Sequence, residues 1–74
     1  MFTIVGFKRV VAKSNSAVYY ELHLTGEDRY VTGLMAFNVF VKEDMINKPE
    51  QIVPGSFCDI YYNRFGKVDR IFIM

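Results

Sequence analysis

Alternation of apolar and polar residues along the chain predicts β-strands rather than helices. The clearest case is residues 17–25, in which every second residue is apolar. The apolar positions of this segment are Val18, Tyr20, Leu22 and Leu24. One face of such a strand packs into a core, and the other meets water or a partner. We therefore expect an antiparallel sheet with these four side chains in its core.

Two further strands are predicted in the first half of the chain, over residues 2–12 and 30–42. In the first, Gly6 and the adjacent pair Lys8-Arg9 predict a bend and a β-bulge, because two neighbouring polar residues interrupt the alternation. The second is apolar on both faces in its middle. We therefore expect it to be a central strand, or to be covered on its outer side.

The alternation stops over residues 43–53, which begin with acids and contain Pro49. Acids favour the start of a helix, and proline is tolerated only in its first turn. A short interrupted helix or an irregular segment is predicted here. Its apolar residues, Met45, Ile46 and Ile52, are expected to cap the core.

A β-hairpin is predicted at the end of the sequence. Pro54-Gly55 indicates a turn, and residues 57–62 are rich in aromatic and branched side chains that suit a strand. Residues 63–66 supply the reversal, with Gly66 free to adopt a left-handed conformation. Residues 68–74 then form the last strand, which must pair with another strand to avoid an exposed edge.

These elements predict an all-β fold in one domain, residues 1–74. Five strands with a short helical or irregular insert between strands 3 and 4 fit a five-stranded OB-like Greek-key barrel. An SH3-like barrel is the nearest alternative, but its strands are normally shorter than the predicted strand over residues 30–42.

The chain resembles the small OB-fold single-stranded DNA-binding proteins of phages and conjugative elements. The resemblance lies in the order of the elements, the long strands 2 and 3, the turn at Pro54-Gly55 and the basic, aromatic tip over residues 61–67. It implies binding of single strands without sequence preference, by a homo-oligomer that we expect to be a dimer. DNA is the expected ligand, with RNA as the alternative.

Composition modifies this expectation in two ways. Hydrophobic residues make up 51% of the 74 residues, and a chain this short buries only about 60% of its unfolded surface. Some apolar surface is therefore expected to be buried between copies. The net charge of +1 argues against binding through bulk charge alone. Residues 1–20, however, contain three cations and no acid, which predicts a local basic face.

Single strands are held by a basic groove with aromatic side chains on which bases stack. In an OB barrel this groove crosses strands 2 and 3, between the loop joining strands 1 and 2 and the loop joining strands 4 and 5. The candidate nucleic-acid-binding residues are the cations and aromatics expected along it: Lys8, Arg9, Lys13, Tyr19, His23, Tyr30, Tyr61, Arg64, Phe65 and Lys67. For each of them, packing or simple solvation is the competing interpretation.

No catalytic constellation is visible, so neither an enzyme nor a cofactor is expected. The single His23 and single Cys58 do not make a zinc site, and Cys58 alternates with apolar residues as a buried side chain would. An unpaired cysteine and the lack of a signal peptide or long apolar run predict a cytoplasmic protein without a membrane partner. The alternative function is a protein–protein interaction or assembly module on a small β-barrel.

Overall fold

The computed structural model describes all residues, 1–74, and consists of one antiparallel sheet with five strands. The strands are β1 (Phe2–Val11), β2 (Val18–Glu27), β3 (Leu34–Lys42), β4 (Phe57–Tyr62) and β5 (Val68–Ile73). Their spatial order is β3-β2-β1-β4-β5, and the sheet is not closed by pairing of β3 with β5. The prediction of an all-β fold with five strands is confirmed.

The bulge of β1 lies at Val5, between Ile4 and Gly6, and not at Lys8-Arg9 as the sequence predicts. Lys8 and Arg9 stay in regular register with β2, so their side chains simply point to opposite faces of the sheet. The prediction was wrong because two adjacent polar residues do not interrupt a strand when both of its faces are exposed at that point.

β3 is an edge strand, because it pairs with β2 alone, and its outer side is uncovered, because Leu34, Ala36, Asn38 and Phe40 are exposed there. The prediction of a strand that is central or covered on its outer side was therefore wrong. β3 also begins at Leu34, four residues later than predicted, since residues 30–33 belong to the turn between β2 and β3. That turn is closed by Gly33, whose φ of 89° few other residues adopt. Strand order and turn position both depend on contacts that alternation alone does not encode.

The core lies on one face of the sheet and is mainly aliphatic, with Tyr20 as its one buried aromatic residue. Its fully buried side chains include Ile4, Leu22, Leu24, Cys58, Ile71 and Ile73. Phe2 packs beside them in an edge-to-face contact with Phe37, at 5.2 Å between ring centroids. The Phe2 ring also occupies the space in which a Cβ on Gly26 would lie, so this glycine is required by packing. The predicted burial of Cys58 and of Tyr20, Leu22 and Leu24 on β2 is confirmed, and Val18 is partly buried against the same core.

The insert between β3 and β4 contains two short 3₁₀ turns, Glu43–Met45 and Pro49–Gln51, as the predicted interrupted helix requires. Ile46 and Ile52 are buried against the core, which confirms their predicted capping role. Neither turn has the length or the apolar character that a bilayer-spanning helix needs.

Asn47, within this insert, covers part of the free edge of β5. Its side-chain Oδ1 accepts a hydrogen bond from the Ile73 N–H at 2.6 Å, and its Nδ2 donates to the Ile73 carbonyl at 3.3 Å. Its backbone N–H donates to the Ile71 carbonyl at 3.3 Å, beside a parallel bridge between Ile46 and Ile71. The segment that follows β3 therefore satisfies polar groups that β5 would otherwise leave unpaired.

Candidate nucleic-acid interface

The side of β1, β2 and β3 that faces away from the core forms the first part of the candidate interface, and is called the outer face below. Strand register places Lys8, Glu21 and Phe40 in one row across it, and Val10, Tyr19 and Lys42 in the next. Lys8, Phe40 and Lys42 are exposed. The outer face thus combines cations with aromatic side chains, although Glu21 lies among them.

Tyr19 and Phe40 stack on one another on the outer face. Their ring centroids are 5.1 Å apart and their planes differ by 7°, which is parallel stacking. Phe40 is 59% exposed even with Tyr19 against it, so much of its ring remains accessible from outside. The sequence predicts Tyr19 as a candidate but not Phe40, because only the β2–β3 register brings the two rings together.

His23 lies further along the outer face, with Gly6 and Asn38 as its cross-strand neighbours. Its Nε2 is 3.2 Å from a carboxylate oxygen of Glu21, and both side chains are partly exposed. A protonated imidazole would therefore be paired with Glu21 and would add little free positive charge for a phosphate.

The tip of the β4–β5 hairpin, residues 63–67, is the second part of the candidate interface. The side-chain Oδ1 of Asn63 accepts hydrogen bonds from the N–H groups of Phe65 at 2.9 Å and Lys67 at 3.1 Å. Gly66, with φ of 77°, completes the turn and confirms the predicted reversal. The turn holds Phe65 outward, with 73% of the side chain exposed.

Arg64 lies against the Phe65 ring in this tip. Its guanidinium carbon is 5.0 Å from the ring centroid, a cation–π contact. Neither Arg64 nor Lys67 forms an ion pair with a carboxylate. The predicted candidates Arg64, Phe65 and Lys67 therefore do form one exposed cluster with two unpaired cations.

The tip of the β2–β3 hairpin, residues 28–33, has a similar arrangement. Oδ1 of Asp28 accepts a hydrogen bond from the Tyr30 N–H at 2.8 Å, and Tyr30 is 82% exposed. The Arg29 guanidinium carbon lies 4.8 Å from the Tyr30 ring centroid. Sequence reasoning missed Arg29, because Tyr30 was expected in a strand rather than a turn. The available signal was Asp28, two residues before the aromatic as Asn63 is before Phe65.

Both tips lie at the same end of the sheet. β2 ends near the start of β1, because Thr25 pairs with Thr3. β4 is antiparallel to β1 and pairs through Cys58 with Phe2, so the rest of β4 extends beyond the start of β1. The connections that follow β2 and β4 therefore leave the sheet at this end. Lys13, in the turn between β1 and β2, lies at the opposite end.

Two of the predicted candidates lie elsewhere on the sheet. Tyr61 points away from the core on β4, half exposed, with the Arg70 guanidinium carbon 5.8 Å from its ring centroid. Arg9 pairs with the buried Tyr20 and so belongs to the opposite side of β1 from Lys8. Tyr61 adds a third arginine–aromatic pair, whereas Arg9 does not join the outer face.

Cys58 and His23 do not form a reactive pair. Cys58 is fully buried on the core face of β4, while His23 lies on the outer face of β2, with β1 between the two strands. Burial raises the pKa of the Cys58 thiol to about 11; the Asp59 carboxylate adds to the rise and the terminal amine opposes it. The thiol is thus kept in its neutral, weakly nucleophilic form at neutral pH.

Comparison with known proteins finds no relative of this chain. No protein-family model matches the chain, and neither a curated protein nor a solved structure matches it. The arrangement of its side chains presents aromatic rings beside guanidinium groups at two turns at the same end of the sheet, and a pair of stacked aromatic rings on the outer face.

Proposed function

We propose that the chain binds single-stranded DNA without sequence preference. The observation that carries this proposal is the exposed arginine–aromatic pair at each of the two hairpin tips, Arg29 with Tyr30 and Arg64 with Phe65. Every base has a face that stacks on an aromatic ring, and the arginine beside the ring can meet the adjacent phosphate. Such a pair holds a single strand through features that all sequences share.

The outer face provides the surface along which the strand continues. The Tyr19–Phe40 stack offers a further aromatic surface, with Lys8 and Lys42 in the same two rows for phosphates. Glu21 in the middle of this region limits its positive potential. The contribution of each cation is therefore local, which agrees with a chain of net charge +1.

The proposal includes an OB-like Greek-key barrel as the fold. Its support is the link between the segment after β3 and the edge of β5, through the Ile46–Ile71 bridge and the Asn47 hydrogen bonds. In an OB barrel the nucleic-acid groove crosses strands 2 and 3, the region that carries the Tyr19–Phe40 stack here.

The binding proposal is tested by fluorescence anisotropy with a fluorescein-labelled oligo-dT, titrated at low and at high salt. We expect binding that weakens as salt rises, with a slope of about −0.7 in log–log form for each phosphate neutralised. The Phe65→Ala variant should lose about 1–3 kcal/mol of binding free energy if a base stacks there. Phe57→Ala is the matched control, because Phe57 is 49% exposed at the other end of β4. Absence of binding at both salt concentrations would refute the proposal.

One observation favours the second candidate function, a protein-interaction module. The side of β4 and β5 that faces away from the core exposes large apolar residues: Phe57, Phe72 and Met74 are 49%, 40% and 59% exposed. Exposed apolar clusters of this kind are typical of protein contacts. This second function would be supported if the chain does not bind oligo-dT and if its self-association is lost on Phe72→Lys substitution.

A further inference from the structure

The edge of the sheet formed by β3 is open. β3 pairs only with β2, and no backbone hydrogen bond outside that ladder involves residues 34–42. One side of the strand therefore presents a row of unpaired N–H and C=O groups. Such a row is a template for pairing with another strand.

The other edge of the sheet, formed by β5, is protected, whereas the edge formed by β3 is not. On β5, the side chain and backbone of Asn47 bond Ile73 and Ile71 in the place of a neighbouring strand. Exposed edges are commonly protected by a charge, a proline or a covering segment. β3 has none of these from Leu34 to Val41.

The composition of β3 also fits a strand with neighbours on both sides. Its core-side residues from Met35 to Val41 are apolar, and two of its outer-face residues, Leu34 and Phe40, are 64% and 59% exposed. Large apolar residues on both faces are more typical of strands in the interior of a sheet than of strands at its edge, although Asn38 and Lys42 are also on the outer face. β3 would take up an interior position if a second strand paired with its open edge.

We propose that β3 pairs antiparallel with β3 of a second copy of this chain, about a two-fold axis at Asn38. Self-pairing of an edge gives a closed, isologous dimer in which both copies use the same residues. The axis lies at Asn38 because it is the middle of the nine residues of β3, so this register alone pairs all nine. Each Asn38 then faces the Asn38 of the partner subunit.

The side chains complement one another in this register. On the outer face, the small Ala36 lies opposite Phe40 of the partner subunit, and Leu34 lies opposite Lys42 of the partner subunit. That lysine extends toward Glu27, the β2 neighbour of Leu34 on the same face. No like charges are placed directly opposite each other, an arrangement that would destabilise the pair.

Pairing also extends the surface proposed for nucleic acid. The outer faces of the two copies become continuous, with a Tyr19–Phe40 stack on each side of the axis. A single strand that crosses one outer face can then continue onto the next. This consequence rests on the proposed function, whereas the pairing itself does not.

The test is sedimentation equilibrium of the full chain without nucleic acid. The expected mass of the wild type is twice 8.6 kDa at high protein concentration. The Asn38→Lys and Asn38→Glu variants should each raise the dimer dissociation constant at least about tenfold, because like charges then face one another across the axis. An equimolar mixture of the two variants should form a dimer again, since opposite charges then meet. Ser14→Lys, in an exposed turn, is the control and should dimerise as the wild type does.

The rescue by mixing separates loss of pairing from loss of folding. A wild-type mass of 8.6 kDa at every concentration would overturn the proposal. So would variants that dimerise like the wild type, a mixture that stays monomeric, or a dimer that is lost on Phe72→Lys but not on Asn38→Lys. Binding of oligo-dT by a monomer would retain the proposed function and exclude the pairing, and a β3-paired dimer that binds no oligo-dT would do the reverse.

Discussion

The two hairpin tips of this protein share one geometry and differ in charge. In each tip an Asp or Asn side-chain oxygen accepts a hydrogen bond from the N–H of an exposed aromatic residue two positions later, at 2.8 Å for Asp28 and 2.9 Å for Asn63. In each, an arginine precedes the aromatic and lies against its ring. The β4–β5 tip contains Arg64, Lys67 and no acid, whereas Arg29 in the β2–β3 tip is balanced by Asp28.

This difference in charge predicts that the two tips contribute to the proposed binding in different ways. Both can offer a ring to a base, because ring exposure depends on the turn and not on its charge. Only the β4–β5 tip has surplus positive charge for the phosphates that flank the base. We therefore expect it to provide most of the salt-dependent affinity, and the β2–β3 tip to act mainly through stacking.

Charge reversal at the two arginines should give the largest difference between the tips. We expect Arg64→Glu to weaken oligo-dT binding at least about tenfold, ~1.4 kcal/mol, and to reduce the salt slope. Arg29→Glu should cost only a few-fold, because its charge is already offset by Asp28. Anisotropy titrations of both variants over a salt series provide the measurement. Equal losses of oligo-dT affinity in the two variants would contradict the larger electrostatic contribution of the β4–β5 tip.

Exchanging the turn residues should give a smaller effect of opposite sign in the two tips. Asp28→Asn and Asn63→Asp both keep the Oδ1 acceptor that holds the turn, so the free energy of unfolding should not change. Removing the charge at Asp28 should strengthen oligo-dT binding about threefold, and adding one at Asn63 should weaken it by about as much. An affinity that is unaffected by both exchanges would mean that neither tip lies near a phosphate.

The smallest expected difference concerns stability, in which the two tips should behave alike. Gly33 and Gly66 close the turns with φ of 89° and 77°, where a Cβ is strained although space is open around both. Gly33→Ala and Gly66→Ala should each lower the free energy of unfolding by about 1 kcal/mol, measured by urea denaturation. Gly6→Ala is the control, because a Cβ there meets nothing and φ is not positive. Unequal losses in the free energy of unfolding for the Gly33 and Gly66 variants would show that the two turns differ in backbone strain as well as in charge.

The sequence predicts the strands and their buried faces because these depend on local alternation. The core side of β2, the 57–62 strand and the reversal at Gly66 are all local features, and the structure confirms them. The prediction that β3 is central or covered was wrong, because strand order depends on long-range pairing that local alternation does not encode. The start of β3 was predicted too early because Val31 and Thr32 continue the strand-like pattern into the turn.

The candidate interface was predicted in part, for the same reason. Phe65 and its neighbouring cations could be found because a turn motif isolates them from any strand. Phe40 could not, because its stacking on Tyr19 exists only through the β2–β3 register. Arg9, next to Lys8 in sequence, lies on the opposite side of β1 and so does not join the outer face.

An NMR titration of the ¹⁵N-labelled chain with a short oligo-dT locates the binding surface residue by residue. If the two tips and the outer face bind the strand together, amide shifts change at both hairpin tips, around Tyr30 and Phe65, and on the outer face near Phe40. Residues 49–53, in the insert, should not change. Shifts confined to the β4–β5 side that carries Phe57 and Phe72, or no shifts at saturating oligo-dT, would contradict binding of a single strand by the two tips and the outer face together.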